Sequence, residues 1–104
     1  MKFPGGGNLQ AMMKQAQQMQ QRLAEEISAI RVEASAGGGM VTVSLDGHKN
    51  CTGVKIEPEA AGDAEMLQDM VQAAYNEAAR KVDEESQKKT QGVLGGLGLP
   101  PGMF

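Results

Sequence analysis

The stretch "MVTVSLDGHKNCTGVKIEPE", residues 40–59, decides the fold. Val41, Val43 and Leu45 alternate with Thr42 and Ser44, the two-residue period of a strand with one face in a core. Asp46-Gly47 follows at once and reads as a hairpin signal. A further strand over about residues 50–57 places Val54 and Ile56 on the inner face, and Pro58, lacking an N–H, ends its pairing. With a turn over residues 46–49, Val41 is expected opposite Val54 and Val43 opposite Thr52, with Gly53 as a candidate bulge. On the N-terminal side, Val32, Ala34 and Ala36 alternate with Arg31, Glu33 and Ser35, and residues 37–39, all glycine, form a loose connection. The result is a three-stranded antiparallel meander with one apolar face.

Helical periodicity flanks it. Leu9, Met12, Met13, Ala16, Met19, Leu23, Ile27 and Ile30 recur at steps of three and four, while Lys14, Gln18, Gln21, Arg22 and Glu25 fall on the opposite side. A helix capped by Asn8 and running to about Ile30 is roughly 33 Å long at 1.5 Å per residue, more than three strands can cover. Asp63 can cap a second helix, whose stripe is Leu67, Met70, Val71, Ala74, Ala78 and Val82. Beyond Val82 the same angular positions carry Glu85, Lys88 and Lys89, so the last two turns are expected to overhang the body. The fold class is α+β, in the order α-β-β-β-α. Residues 1–7 form a lead-in, 8–90 a single domain, and 91–104 a Gly/Pro-rich tail whose Leu97, Leu99 and Phe104 are candidates to dock on a partner subunit.

Three aromatics and no Trp among 104 residues leave Met, Leu, Val, Ile and Ala to build the core. So small a core favours oligomerisation. Leu9, Met12, Ala16, Met19 and Leu23 keep heptad steps, and small Ala16 admits a close second helix. Met12, Ala16, Met19 and Leu23, with Val41 and Val43 of the sheet, are the candidate dimer interface. Cys51 is the only cysteine and cannot close a disulfide within the chain, which fits a reducing cytoplasm. No apolar run reaches the ~20 residues of a membrane span, and the start "MKFPGGGNLQ" lacks the apolar block of a secretory signal. A cytoplasmic protein without a membrane partner is expected.

Catalytic chemistry finds no constellation. His48 stands alone after the hairpin glycine, and Cys51 has no activating neighbour at motif spacing. Glu25-Glu26 and Glu84-Glu85 are adjacent on helices and point about 100° apart, as solvated faces do. The spacing of Glu57, Glu59, Asp63 and Glu65 matches no calcium loop, and the glycine clusters contain no phosphate-binding signature. No enzyme activity, cofactor, metal or small-molecule substrate is expected.

Charge distribution says more. Residues 1–24 carry Lys2, Lys14 and Arg22 and no acid, whereas residues 33–70 hold seven acids against Lys49 and Lys55, in a chain of net charge −3. Lys14, Gln18 and Arg22 make one exposed line on the first helix. If the helices return antiparallel, Lys2 and Lys14 meet Lys88 and Lys89 near one tip. Positive tips on a negative body suit phosphate contact, and the glutamines add neutral donors.

The segments "NLQAMMKQAQQMQQRLAEEI", "GGGMVTVSLDGHKNCTGVKIEPE", "DAEMLQDMVQAAYNEAARK" and "LGLPPGMF" together resemble the YbaB/EbfC family of bacterial nucleoid-associated DNA-binding proteins. The resemblance covers nearly the whole chain. It implies a two-fold homodimer with paired sheets at the centre and long helices that grip duplex DNA with low or modest sequence preference. A place in nucleoid organisation and gene regulation is implied as well. Lys14 and Arg22 match the family's basic first-helix positions, and Arg80 and Lys81 match the basic pair after Asn76-Glu77-Ala78. Lys88 and Lys89 rest on the charge pattern. The alternative is a cytosolic dimeric adaptor that uses the Met-rich helix surface or the apolar tail to hold protein partners.

Overall fold

The computed structural model describes residues 5–95, with the side chains of residues 9–95. The order is α1 (Gly5–Ser28), β1 (Arg31–Ala36), β2 (Val41–Asp46), β3 (Cys51–Ile56), a short 3-10 turn (Pro58–Ala60) and α2 (Ala64–Gly95). The three strands form one antiparallel sheet in the order β1-β2-β3, the meander read from the alternation.

The core lies on one face of that sheet. Val41, Val43 and Leu45 of β2 are sealed beneath α2, which presents Met70, Ala74, Ala78 and Val82 at four-residue spacing. Two of those four are alanines, so the helix axis can approach the strands closely. Ala34 of β1 and Ala60 of the 3-10 turn complete the cluster. Since every member is aliphatic or Met, the buried area per residue is modest. Val41 and Val43, expected among the dimer-interface residues, are covered by the chain's own helix.

Coverage stops at β2. α2 packs along β1 and β2, and every residue of β3 is exposed. Val54 and Ile56 do share the face of Val43 and Val41, as their alternation required, but they remain 50 % and 40 % exposed. The expected register also shifts. Val41 pairs with Ile56 and Val43 with Val54, so Thr52 faces no β2 residue and is the extra residue of a bulge between Gly53 and Cys51. Two local causes add up. The Asp46 amide pairs with the Asn50 carbonyl (3.0 Å), which lengthens the turn by one residue, and the bulge adds another. A shift of two keeps every side chain on its face.

The helix ends differ from the sequence expectation as well. α1 begins at Gly5 rather than at Asn8 and stops at Ser28. α2 begins as read, with the Met66 amide donating to Asp63 Oδ1 at 3.0 Å. It then runs to Gly95, so residues 91–95 are helix and not tail. Its final turns are not a bare overhang, because Glu85, Ser86, Lys89, Thr90, Val93 and Leu94 are half-buried. Leu97, Leu99 and Phe104 lie outside the described residues, as does Lys2. Among the described residues, no helix is long and apolar enough to cross a membrane.

The connection over residues 37–39 is a tight turn in which all three glycines have positive φ, between 65° and 97°. At Gly37 an added Cβ would also stand 2.2 Å from Met70 Sδ, in the core. At Gly38, with φ of 68°, it would meet nothing within 4 Å. Left-handed backbone costs a non-glycine residue about 1–2 kcal/mol, and overpacking adds about 1–3 kcal/mol. Gly37→Ala is therefore expected to destabilise the chain more than Gly38→Ala in urea melts, the difference reporting displacement of Met70.

Candidate nucleic-acid interface

α1 leaves the body as an arm. Its last three turns lean on α2: Met19, Leu23, Glu26 and Ile27 are half-buried and Ile30 is buried at the root. Clefts between the two helices pair Ala29 and Ile30 with Glu85 and Lys89, then Arg22 with Gly92 and Val93. Falling numbers on α1 meet rising numbers on α2, so the helices are antiparallel. Residues 9–18 extend past this support and are exposed throughout, including Leu9, Met12 and Met13 at 63 %, 61 % and 58 %. Only the root half of the apolar stripe thus packs, and it does so on α2 and not on the sheet. The particle measures 74 × 24 × 16 Å. Its radius of gyration is 20.5 Å, against about 13 Å for a compact domain of 100 residues.

The basic residues divide into two groups. Most are occupied within the chain. Arg80 is held by Glu77 and Glu84 on its own helix, with Nε donating to Glu77 Oε2 at 3.1 Å. The hydrogen bond from Arg80 pulls the Glu77 carboxyl below the usual carboxylate range, and the same contact raises the guanidinium further. Lys81 Nζ donates to the Glu33 carbonyl of β1 at 2.7 Å. Lys49 pairs with Asp83 at 2.8 Å, Lys55 with Glu57 at 3.8 Å, Lys88 with Glu85 at 3.6 Å and Lys89 with Glu26 at 3.5 Å. Arg31 Nη1 donates to the Ser28 and Ile30 carbonyls at 2.9 and 2.7 Å.

Lys14 and Arg22 are different. Among the described residues they alone of the cations have neither a carboxylate within ion-pair distance nor a carbonyl partner. They lie eight residues apart, about 12 Å along the helix axis, with exposed Gln18 between them. Arg22 also lines one cleft with Lys88 and Lys89, where Glu26 and Glu85 offset part of the charge. The expected gathering of Lys88 and Lys89 with Lys14 at one tip does not occur. Because α2 ends beside Arg22, those two lysines sit along the root half of the arm, each against a carboxylate.

Sequence reasoning missed what holds the arm's root. Arg31, read only as an outward strand residue, clasps the carbonyls at the end of α1. Asp46, read as a turn former, accepts from the His48 amide at 2.8 Å and the Asn50 amide at 2.9 Å. Neither residue signals this locally; Arg31 and Asp46 come together at the arm's root only through their pairing across β1 and β2.

The flanking helices, the meander and the exposed basic arm define a small α-β-β-β-α class, and the relatives agree. The model of the YbaB/EbfC DNA-binding family matches residues 5–97. The chain is 46 % identical over 100 residues to a nucleoid-associated protein of Xanthomonas campestris pv. campestris (strain B100), covering 93 % of this chain and 94 % of the relative. It is 47 % identical over 98 residues to a nucleoid-associated protein of Koribacter versatilis (strain Ellin345), covering 92 % and 97 %. The crystal structure of an uncharacterized protein from Helicobacter pylori superposes with a TM-score of 0.59 at 28 % identity, over 77 % of this chain and 90 % of that one. This chain belongs to the YbaB/EbfC DNA-binding family.

Acid should loosen the turn next to the arm. Burial opposes ionisation of Asp46, but the amides of Asn50 and His48 outweigh it and hold the carboxyl below its ordinary value. A depressed folded-state pKa means the contribution is complete above the unfolded value, about 3.9, and is lost as pH falls through the folded one. Hydrogen exchange at the His48 and Asn50 amides is expected to be slow at neutral pH once corrected for intrinsic rates. Protection should fall below about pH 4, and Asp46→Ala should lack it at every pH.

Proposed function

We propose that the protein binds duplex DNA as a homodimer with low or modest sequence specificity, in nucleoid organisation and with a contribution to gene regulation. The observation that carries this reading is the pair Lys14 and Arg22, both without an ion-pair partner on the acid-free part of α1, while the other described cations are occupied. Phosphates attract such side chains and release condensed counterions when they bind. Gln18 supplies a neutral donor between them. Lys88 and Lys89 act in support, since their 3.6 and 3.5 Å ion pairs are exposed and readily exchanged for phosphate. Arg80 and Lys81 contribute least, being tied to Glu77, Glu84 and the Glu33 carbonyl. With no helix shaped to read one groove, selection acts through duplex shape and flexibility. The relatives named as nucleoid-associated proteins support the setting in the nucleoid and the cytoplasmic location.

A second copy of the chain belongs on β3, the uncovered strand of the sheet. Val54 and Ile56 of β3 lie exposed on the core face, and a protein with so small a core gains by covering them. Met12 and Ala16 on the free part of α1 stay available to a partner, while Met19 and Leu23 already lean on α2. Two arms per particle then reach one duplex. Family membership favours this over the adaptor reading.

Two measurements test the proposal. Fluorescence anisotropy with random duplex should show log affinity falling with log salt, about 0.9 for each phosphate contacted. Lys14→Glu with Arg22→Glu should lower that slope by about 3.6, four contacts per dimer, with the dimer intact. An unchanged slope and affinity reject the role of the arm. Separately, Val54→Lys with Ile56→Lys should halve the mass seen by sedimentation while leaving the far-UV spectrum unaltered, and a persisting dimer places the interface elsewhere.

A further inference from the structure

Gly47 is unlike the other described glycines. A Cβ there would lie 1.8 Å from the Ile27 carbonyl oxygen and 3.2 Å from Ile27 Cγ2, so the β2–β3 turn is pressed directly against the last turn of α1. The positive φ of this turn is at Lys49, 64°, not at Gly47. Glycine is present at position 47 for closeness of approach. The same Ile27 carbonyl accepts the Ile30 amide at 3.1 Å, where α1 ends.

The turn is itself contacted from three directions. Asp46 ties the His48 and Asn50 amides within it. From below, α2 holds it twice: Tyr75 Oη donates to the Lys49 carbonyl at 3.4 Å and Asp83 pairs with Lys49 Nζ at 2.8 Å. From the arm, Ser28 Oγ lies 3.4 Å from His48 Nε2. The turn thus touches α2 on one side and, backbone to backbone, α1 on the other.

We propose that the β2–β3 turn is the seat that aims α1, with Gly47 as the positioning residue that sets where the arm's cations lie relative to the body. This rests on the arm being the DNA-contacting element. The consequence is geometric. The glycine contact sits near the pivot, where α1 turns into β1, so a small displacement at Ile27 is multiplied toward Lys14, thirteen residues farther out. Arg22, closer to the pivot and braced by α2, moves less. Specific contact requires side chains held close to their productive geometry, so aim controls binding without any residue here touching DNA.

The experiment uses the full chain with Cys51→Ser and spin labels on exposed Gln10 and Gln72, diluted with unlabelled protein so that distances within one chain are read. Gly47→Ala should displace the distance between α1 and α2 labels by several ångström. It should also lower the salt slope of duplex binding by about 1.8, the loss of the Lys14 contact from each arm of a dimer. Gly38→Ala, a turn change remote from the arm, should leave both readouts unmoved. In case Gly47→Ala fails to fold, Tyr75→Phe and Arg31→Gln remove holding contacts without adding bulk, and each should broaden the distance distribution. An unchanged distance in Gly47→Ala, or undisturbed distributions in the other two, overturns the seat. A displaced arm with unchanged slope overturns its link to DNA contact. Distances are read without DNA, so failure of the parent protein to bind duplex contradicts the DNA reading alone.

Discussion

The contact between the β2 row Val41, Val43, Leu45 and the α2 row Met70, Ala74, Ala78, Val82 is the constraint on which the rest of the molecule depends. Without aromatic rings the sheet can be sealed only by bringing backbones close, and the alanines at 74 and 78 allow that. The geometry has two consequences. A single helix set so near β1 and β2 does not reach β3, which stays bare on its core face. Once past the sheet, α2 still has turns to run, and those turns support α1. The uncovered strand and the braced arm thus follow from one packing decision.

Electrostatics then separates the body from the arm. On the body, cations are absorbed at short range: by acids one turn away on α2 for Arg80, across elements for Lys49 and Asp83, and by a strand carbonyl for Lys81. Exposed pairs of this kind contribute little to stability. Their larger effect is to leave the body without free positive charge, in a chain whose total is −3. Absence of acids between Gly5 and Ala24 prevents the same neutralisation on the arm, so Lys14 remains available. Net acidity and affinity for a polyanion are compatible because the charge is segregated.

Much of this was legible in the residues. Alternation in β2 and the four-residue stripe of α2 specified the core members, and Asp63 marked the helix start that its side chain caps. Lys14, Gln18 and Arg22 were placed on one exposed line by periodicity alone. What stayed hidden depends on which elements meet. Alternation put Val54 and Ile56 on the core face, but no pattern within β3 reveals how far a helix elsewhere extends over it. Basic residues look equivalent in sequence, yet Arg80 is engaged because Glu77 and Glu84 lie one turn to either side, while Lys81 is engaged by a strand 48 positions away. Gly47 read as turn chemistry, whereas its role is a backbone approach to Ile27 that only the tertiary arrangement creates.

The division of the cations into occupied and available is open to one direct observation: lysine-selective labelling, read residue by residue by mass spectrometry, with and without duplex DNA at low salt. In the free protein Lys14 should react fast and Lys49 and Lys81, already engaged, slowly. On adding duplex Lys14 should become protected, while Lys49 and Lys81 should not change. Protection of Lys49 and Lys81 with Lys14 still reactive would contradict the account, because the body and not the arm would then be facing the polyanion.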